Sequence, residues 1–401
     1  DRKLNMLLTF YLTFAGVGPR LSEIMSQGID CWTQLLDGFL AEFGTSDGLR
    51  SLIIDGICAG VGSVLSFIPV IGVLFFCLSV MEETGYLDML SQLADRPLKR
   101  LGIPGQITVP LIMGFGCSVP AILAAGEIKN PRSKKLALAL IPFMSCSAKL
   151  PLYGMMTAVF FPENPGILTC ALYAIGISIA LIVAAVLKKI TTENPAASEN
   201  YRLWLRTRSH RPMERFRLPS VKKVLSYTWE NIKGFFRKAF TVILAASVII
   251  WFLENYGICH GGLAAAANPE ESLLAAAGRF AAPVFAPLGF GDWRAAAALI
   301  TGLSAKEAVV STLTVLAEGA SGIKGLSLPV MLASMFTPLS AFSFLVFCLL
   351  YAPCAASVAA MAKTSGSIKH ALLTFAFQTA LAWLAAFIVY NIGQIFTLLI
   401  S

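Results

Sequence analysis

The sequence predicts an all-α fold, a polytopic transmembrane helix bundle of two inverted repeats with broken or re-entrant helices. Hydrophobic residues make up 56% of the 401 residues and charged residues only 13%. Soluble globular chains carry about 25% charged residues. Apolar runs able to cross roughly 30 Å of hydrocarbon recur along the chain, and several of them contain proline and glycine. These observations exclude a soluble protein with one core.

Seven stretches are predicted to cross the membrane: 4–18, which is too short for a full crossing and is expected to be truncated, 52–81, 136–161, 166–187, 239–257, 329–352 and 370–398. Two further apolar segments, 107–125 and 295–315, are predicted to be re-entrant. The first contains Pro110, Gly114, Gly116 and Pro120, which would break a straight helix. Broken backbone at membrane depth survives only inside protein or along a cavity.

The charges predict the topology. Residues 188–238 contain 13 Lys and Arg against four Glu, and such basic loops face the cytoplasm. Nucleic-acid binding is the other interpretation of a basic stretch, and the flanking membrane segments argue against it. With a cytoplasmic N-terminus, seven crossings place the C-terminus outside.

The second half of the chain is predicted to repeat the plan of the first half with opposite orientation. Residues 79–90 match 251–262, residues 112–123 match 300–311, and residues 141–153 correspond loosely to 336–347. Inverted repeats whose broken helices meet near the midplane are a recurring transporter plan. The predicted divisions are 1–50, a truncated first helix and external loop; 51–187, the first membrane repeat; 188–238, a basic cytoplasmic loop; and 239–401, the second repeat.

Three of the nine cysteines lie in broken apolar segments, and there is no CxxC or CxxxC cluster. Cys117 lies in GFGCSVPAI, Cys146 follows Met144 between two prolines, and Cys354 follows Pro353. Sulfur ligands suit borderline-soft transition metals better than Mg²⁺ or Ca²⁺. The predicted topology brings all three thiols to the cytoplasm-facing half, as metal ligands together with Met144. Packed cysteines at structural kinks are the alternative.

Polar residues and glycines near these segments are candidates for gating or for lining an ion path. Ionisable groups at membrane depth are a functional hypothesis by default, although Lys306 and Glu307 pairing to hold the break is an equal alternative. Small polar residues that join helices are the alternative for the segment around Cys146. The candidates are Glu82, Glu83, Gly114, Gly116, Ser145, Ser147, Lys306 and Glu307.

Five motifs together resemble signatures of the FeoB family of bacterial ferrous iron transporters. They are FCLSVMEETGY (76–86), GFGCSVPAI (114–122), PFMSCSAKLPLY (142–153), FGDWRAAAALITGLSAKEAVVSTL (290–313) and SAFSFLVFCLLYAPC (340–354), in the family's order. The resemblance implies a multi-pass protein of the bacterial inner membrane that moves Fe²⁺ into the cytoplasm, with two so-called Gate regions. It implies that Cys117, Cys146 and Cys354 are iron ligands or gate residues.

The same resemblance carries the acid of the family's Glu-Asp-Ser-Gly-Tyr motif to Glu82, and its Ala-Lys-Glu to Lys306 and Glu307. Two departures leave selectivity open. A usual Thr-Arg pair is replaced by Ala125-Gly126, and an Arg is replaced by Lys149, which keeps the charge but loses the bidentate fork.

FeoB proteins also carry a GTPase domain before the membrane part, and no GxxxxGK[ST] occurs here. The chain is therefore expected to be no enzyme and to hold no cofactor, with GTP and Mg²⁺ belonging to an N-terminal GTPase domain in cis. The expected partners are Fe²⁺ as substrate, the lipid bilayer, small soluble proteins of the iron system and further copies of the chain; nucleic acid is not expected. The alternative is a carrier of nucleosides or other small solutes. An intramembrane hydrolase lacks GxSxG or HExxH, and a non-transporting scaffold or receptor would bind no metal.

Overall fold

A computed structural model describes residues 17–43, 47–86, 89, 103–190, 220–259, 262–266, 268–320 and 328–400. The predicted crossing over 4–18 lies almost wholly outside these residues. The described chain is helical apart from one short hairpin. The α-helices are α1 Val17–Glu42, α2 Asp47–Ser51, α3 Ala59–Glu83, α4 Thr108–Gly116, α5 Ser118–Gly126, α6 Pro131–Leu140, α7 Leu150–Phe160, α8 Pro165–Ile190, α9 Val221–Asn255, α10 Leu273–Phe285, α11 Trp293–Thr301, α12 Ala308–Ala320, α13 Leu328–Met335, α14 Pro338–Leu350, α15 Ala355–Ser365 and α16 Ile368–Ile400.

Short elements complete this order. A π-helix, Leu52–Cys58, joins α2 to α3, and the antiparallel hairpin of β1 (Tyr256–Cys259) and β2 (Gly262–Ala265) follows α9. The 3₁₀ turns are Gly105–Ile107, Ile141–Phe143, Ser147–Lys149, Pro269–Glu271 and Ala286–Leu288.

Four helical segments of the described chain are long and apolar enough to cross a membrane: Pro131–Phe160, Pro165–Leu187, Pro338–Ser365 and Ile368–Leu398. A fifth is possible if Leu273–Leu288 and Trp293–Thr301, bent by 106°, count as one broken crossing. Three of these segments match the predicted crossings 136–161, 166–187 and 370–398 to within a few residues. The predicted crossing 329–352 was misplaced, because it joins α13 to α14, whereas the observed segment begins at Pro338 and continues to Ser365. Predicted crossings 52–81 and 239–257 are helical, but their qualifying apolar stretches are shorter, Ile68–Met81 and Phe240–Asn255.

Two segments that we expected to be loops contain helices. α1 occupies most of the expected external loop, packs against α3, and is tied to α2 by Arg50, whose guanidinium donates two hydrogen bonds of 2.6 Å to Asp37. These bonds hold the pKa of the Asp37 carboxyl below its ordinary value.

The expected basic loop 188–238 is likewise helical from Val221 onward, in the 35-residue helix α9. Its Val224 and Thr228 are buried while the neighbouring Lys222 and Lys223 are exposed. This pattern is that of an amphipathic helix, in which positive charge marks one face. Charge content alone therefore could not distinguish a loop from the exposed face of a helix.

The two membrane repeats share one order of elements: a long helix, a first broken helix, a second broken helix and another long helix. In the first repeat this order is α3, α4–α5, α6–α7 and α8. In the second repeat it is α9, α11–α12, α14–α15 and α16, with α10 and α13 as additional helices between them. The breaks fall at Cys117, at Met144–Cys146, at Gly302–Glu307 and at Tyr351–Cys354.

One predicted match between the repeats was wrong in register. Residues 336–347 hold the junction of α13 with α14, whereas the break equivalent to Met144–Cys146 lies at Tyr351–Cys354. Apolar flanks and a proline guided that match, and these features occur at both places.

The first long helices of the two repeats, α3 and α9, pack antiparallel. A Cβ on Gly60 would lie 2.7 Å from Ser247 Cβ, and Lys223 Nζ lies 3.3 Å from Glu83 Oε1. The start of α3 thus lies beside the later part of α9, and the end of α3 lies beside the start of α9. Equivalent helices that run in opposite directions are what an inverted repeat requires.

The core is centred on α14. Ten of its residues are buried, from Ser340 to Leu350, and Phe344 and Phe347 both pack edge-on or tilted against Phe290. The outer helix α16 exposes Leu372, Leu373 and Ile392. Apolar side chains that face outward on a crossing helix suit contact with lipid.

Candidate ion path at the helix breaks

The first break is the single residue Cys117. Its backbone is extended, with φ −149° and ψ 131°, between α4 and α5. Gly114 lies one turn before the break, and a Cβ there would lie 3.1 Å from Met144 Cβ. The absence of a side chain at Gly114 therefore lets the second break approach the first.

The second break separates α6 from α7 at Met144–Cys146, where Met144 and Cys146 have extended backbones. Ser147 Oγ donates a 3.0 Å hydrogen bond to Gly116 O, a carbonyl beside the first break. Ser145 Oγ and Tyr153 Oη, both buried, lie 3.0 Å apart. Unwound carbonyls are thus partly satisfied by side chains of the neighbouring break, as membrane depth requires.

The third break, Gly302–Glu307, carries Lys306 and Glu307. Lys306 is 5% exposed, and its Nζ donates a 2.6 Å hydrogen bond to Ala352 O and lies 3.0 Å from the centroid of the Tyr351 ring. Lys306 and Glu307 form no ion pair in the described structure. The alternative that these two residues pair to hold the break is therefore wrong.

The fourth break, Tyr351–Cys354, meets the third directly, because Ala355 N donates a 2.7 Å hydrogen bond to Leu303 O. It also meets the second, because Lys149 Nζ donates a 2.6 Å hydrogen bond to Leu349 O. Cys354 Sγ lies 3.3 Å from Ser357 Oγ on α15. The four breaks therefore form one connected region.

The three predicted cysteines, Cys117, Cys146 and Cys354, are partly buried and lie at these breaks. Cys117 and Cys354 pack against the same small cluster of Phe75, Val119 and Ala356. Across the described parts of the chain, however, no three His, Cys, Asp or Glu side chains are grouped closely enough to hold a metal ion.

The acidic pair at the end of α3 lies elsewhere. Glu83 pairs with Lys223 at the start of α9, and the Glu82 side chain lies outside the described atoms. Sequence reasoning placed Lys149 in a polar segment between two prolines and as a replacement for Arg, but did not include it among the candidate site residues and did not predict its contact. A lysine within an apolar segment, between Pro142 and Pro151, was the available signal.

The broken helices of the two repeats, whose first long helices run antiparallel, define an all-α membrane domain. The family profile for Gate, described as nucleoside recognition, matches residues 64–160 and 236–368. These ranges fall in the two repeats, and the chain belongs to this family.

The chain is also similar over 98% of its length to several transporters, as its motifs predicted. It is 38% identical to the Fe(2+) transporter FeoB of Staphylococcus aureus strain COL over 56% of that protein, and 35% identical to that of Methanocaldococcus jannaschii over 58%. It is 31% identical to the Fe(2+) transport protein A/Fe(2+) transporter FeoB fusion protein of Porphyromonas gingivalis over 50%. The chain thus spans about half the length of these relatives. No solved structure shows significant similarity to it.

Proposed function

We propose that this chain is the membrane part of a Fe²⁺ transporter that moves the ion across the bacterial inner membrane into the cytoplasm through a gated path lined by cysteines. The observation that carries this proposal is the position of Cys117, Cys146 and Cys354 at three helix breaks that contact one another. The identity of the ion, Fe²⁺, is taken from the names of the relatives.

The chemistry of these breaks suits a transition-metal ion in transit. Cysteine sulfur binds Fe²⁺ more readily than Mg²⁺ or Ca²⁺, and unwound backbone supplies carbonyl oxygens beside it. Conduction needs ligands strong enough to replace water and weak enough to release the ion. A few thiols and Met144 spread over several breaks meet that requirement better than a closed site of four cysteines.

The partners in this proposal follow from the relatives and the resemblance. An N-terminal GTPase domain in cis would bind GTP and Mg²⁺ and would control the gate. One relative is a fusion with an Fe(2+) transport protein A, which supports a small soluble protein of the iron system as a partner. Assembly into a homo-oligomer remains a prediction.

A carrier of nucleosides is the second candidate, because the matching family profile is described as nucleoside recognition. Such a carrier would not need thiols at its breaks. Uptake of labelled nucleosides that persists after removal of Cys117 and Cys146 would favour this candidate.

The test is anaerobic Fe²⁺ entry into proteoliposomes that hold the parent chain, Cys117→Ser with Cys146→Ser, or the control Cys170→Ser. Cys170 is exposed on α8. The proposal predicts that the double substitution abolishes entry and that the control does not. If the double variant is folded and transports like the parent, the thiols do not line the path. If the parent chain transports no Fe²⁺, the assay is repeated with a GTPase domain joined to the chain.

A further inference from the structure

Two lysines converge on the end of one buried helix. Lys149, from the first repeat, and Lys306, from the second repeat, are 4% and 5% exposed, and they are the charged residues among the buried side chains of the described chain. Lys149 Nζ donates to Leu349 O and Lys306 Nζ to Ala352 O, each over 2.6 Å. Both carbonyls lie where α14 ends at the fourth break.

Burying two lysines in this way costs free energy, and a purely structural role does not explain that cost. A buried ammonium loses its hydration, and the loss is repaid only by close partners of opposite charge or polarity. Neither lysine forms an ion pair with a carboxylate within the described residues, and the two ammonium groups bond carbonyls only three residues apart, Leu349 O and Ala352 O. One lysine would suffice to cap a helix end, but here two positive charges share it.

The end of α14 carries the groups that a cation seeks. The last carbonyls of a helix have no partner inside it and form the negative end of its dipole. The Tyr351 ring lies beneath the Lys306 ammonium, and the buried Tyr351 Oη has no hydrogen-bond partner in the described structure. The Cys354 thiol follows three residues later, so carbonyl oxygen, an aromatic face and sulfur lie along one short segment.

We propose that this carbonyl end of α14 is a divalent-cation site that Lys149 and Lys306 occupy with their own ammonium groups in the state described. The proposal deepens the proposed function and rests on it for the identity of the cation. Two ammonium groups carry the same charge as one divalent ion. Their exchange therefore leaves the buried net charge unchanged, which avoids the penalty of adding charge to a low-dielectric region.

The exchange gives the lysines a role in release. A bound cation would be expelled when the two ammonium groups return to Leu349 O and Ala352 O, because like charges repel strongly where water is excluded. The lysines would thereby keep the site weak enough for transport.

A structural clasp is the competing explanation, because lysine side chains commonly bond the last carbonyls of a helix. The two explanations predict opposite effects of removing the charge. If the lysines only stabilise the break, removing their charge would weaken cation binding or leave it unchanged. If the ammonium groups instead compete with the cation for these carbonyls, removing them would tighten cation binding.

The test measures equilibrium binding of Mn²⁺, and of Fe²⁺ under anaerobic conditions, to the purified chain in detergent. The variants are Lys149→Met, Lys306→Met and their combination, with Lys363→Met as the control because Lys363 is exposed on α15. We expect each buried-site variant to bind about tenfold tighter or more, which corresponds to about 1.4 kcal/mol, and the control to match the parent.

Affinity that is unchanged or lower in folded Lys149 and Lys306 variants would overturn the site, as would a lack of binding by the parent and all variants. If the methionine variants do not fold, Lys149→Gln and Lys306→Gln remove the charge but keep an N–H donor. A crystal of the parent soaked in Mn²⁺ adds a test without mutation: anomalous signal beside Leu349 O and Ala352 O supports the site, and Mn²⁺ bound only elsewhere contradicts it. Failure of the proposed function appears separately, as absent Fe²⁺ entry in proteoliposomes.

Discussion

The two repeats share an order of helices but differ in the groups at their breaks. The first repeat places two thiols there, Cys117 and Cys146, and joins its breaks by the Ser147–Gly116 hydrogen bond. The second repeat carries Lys306 and one thiol, Cys354, and its carbonyls accept bonds from two lysines. Each repeat thus contributes one buried lysine, and both lysines bond carbonyls of the second repeat, whereas two of the three thiols belong to the first repeat.

The largest change in stability is expected when alanine replaces Gly302 or Gly114, which occupy similar positions in the two repeats. A Cβ on Gly302 would lie 2.4 Å from both Tyr351 Oη and Val309 Cγ2, whereas a Cβ on Gly114 would meet Met144 at 3.1 Å. We expect Gly302→Ala to destabilise the protein by about 1–3 kcal/mol, as overpacking does. Gly114→Ala should cost less because methionine adapts. Thermal unfolding in detergent measures both.

Gly154→Ala is the matched control for that pair, because nothing lies within 4 Å of a Cβ at Gly154 in α7. It should be neutral or stabilising, since alanine favours the helix. A larger loss for Gly114→Ala than for Gly302→Ala would contradict the tighter packing that we describe for the second repeat.

A smaller effect is expected for the bond that joins the two breaks of the first repeat. Ser147→Ala removes the donor to Gly116 O and should destabilise by about 0.5–1.5 kcal/mol. It should also raise the reactivity of the Cys117 thiol toward a maleimide, because the adjacent backbone loses a restraint. Ser178→Ala is the control, since Ser178 is exposed on α8 and bonds only its own helix. Equal reactivity of Cys117 in both variants would show that the bond does not hold the break.

The smallest effect is expected where the repeats meet at α3 and α9. Lys223→Met removes an exposed ion pair with Glu83 and should cost roughly 0.2–1 kcal/mol, less at high salt. The shift in unfolding temperature should shrink as salt is added. A shift that is large and independent of salt would mean that Lys223 acts through packing instead.

Much of the fold followed from sequence because its signals were local. Pro110, Gly114, Gly116 and Pro120 mark the first broken helix, and the break falls among them at Cys117. Apolar length marked the crossing helices at 136–161, 166–187 and 370–398. The register of the second repeat failed, because residues 336–347 offer the same apolar pattern as the true break at Tyr351–Cys354.

The contacts of the site were not predictable in the same way. Lys149 bonds a carbonyl 200 residues further along the chain, and no local pattern reports such a pairing. The opposite error arose at α1 and at the start of α9, where loops were expected and helices are found. At the start of α9, exposed Lys222 and Lys223 lie beside buried Val224 and Thr228, and packing against other helices reveals which face is buried.

The proposed path requires that sulfur from the broken helices binds the transported ion. X-ray absorption at the iron edge, recorded anaerobically on the purified chain with bound Fe²⁺, shows whether it does. We expect sulfur in the first coordination shell of the parent and of Cys170→Ser, and fewer sulfur ligands in Cys117→Ser with Cys146→Ser, which keeps only Cys354 and Met144. A shell of oxygen and nitrogen alone in the parent would show that the thiols do not bind the ion.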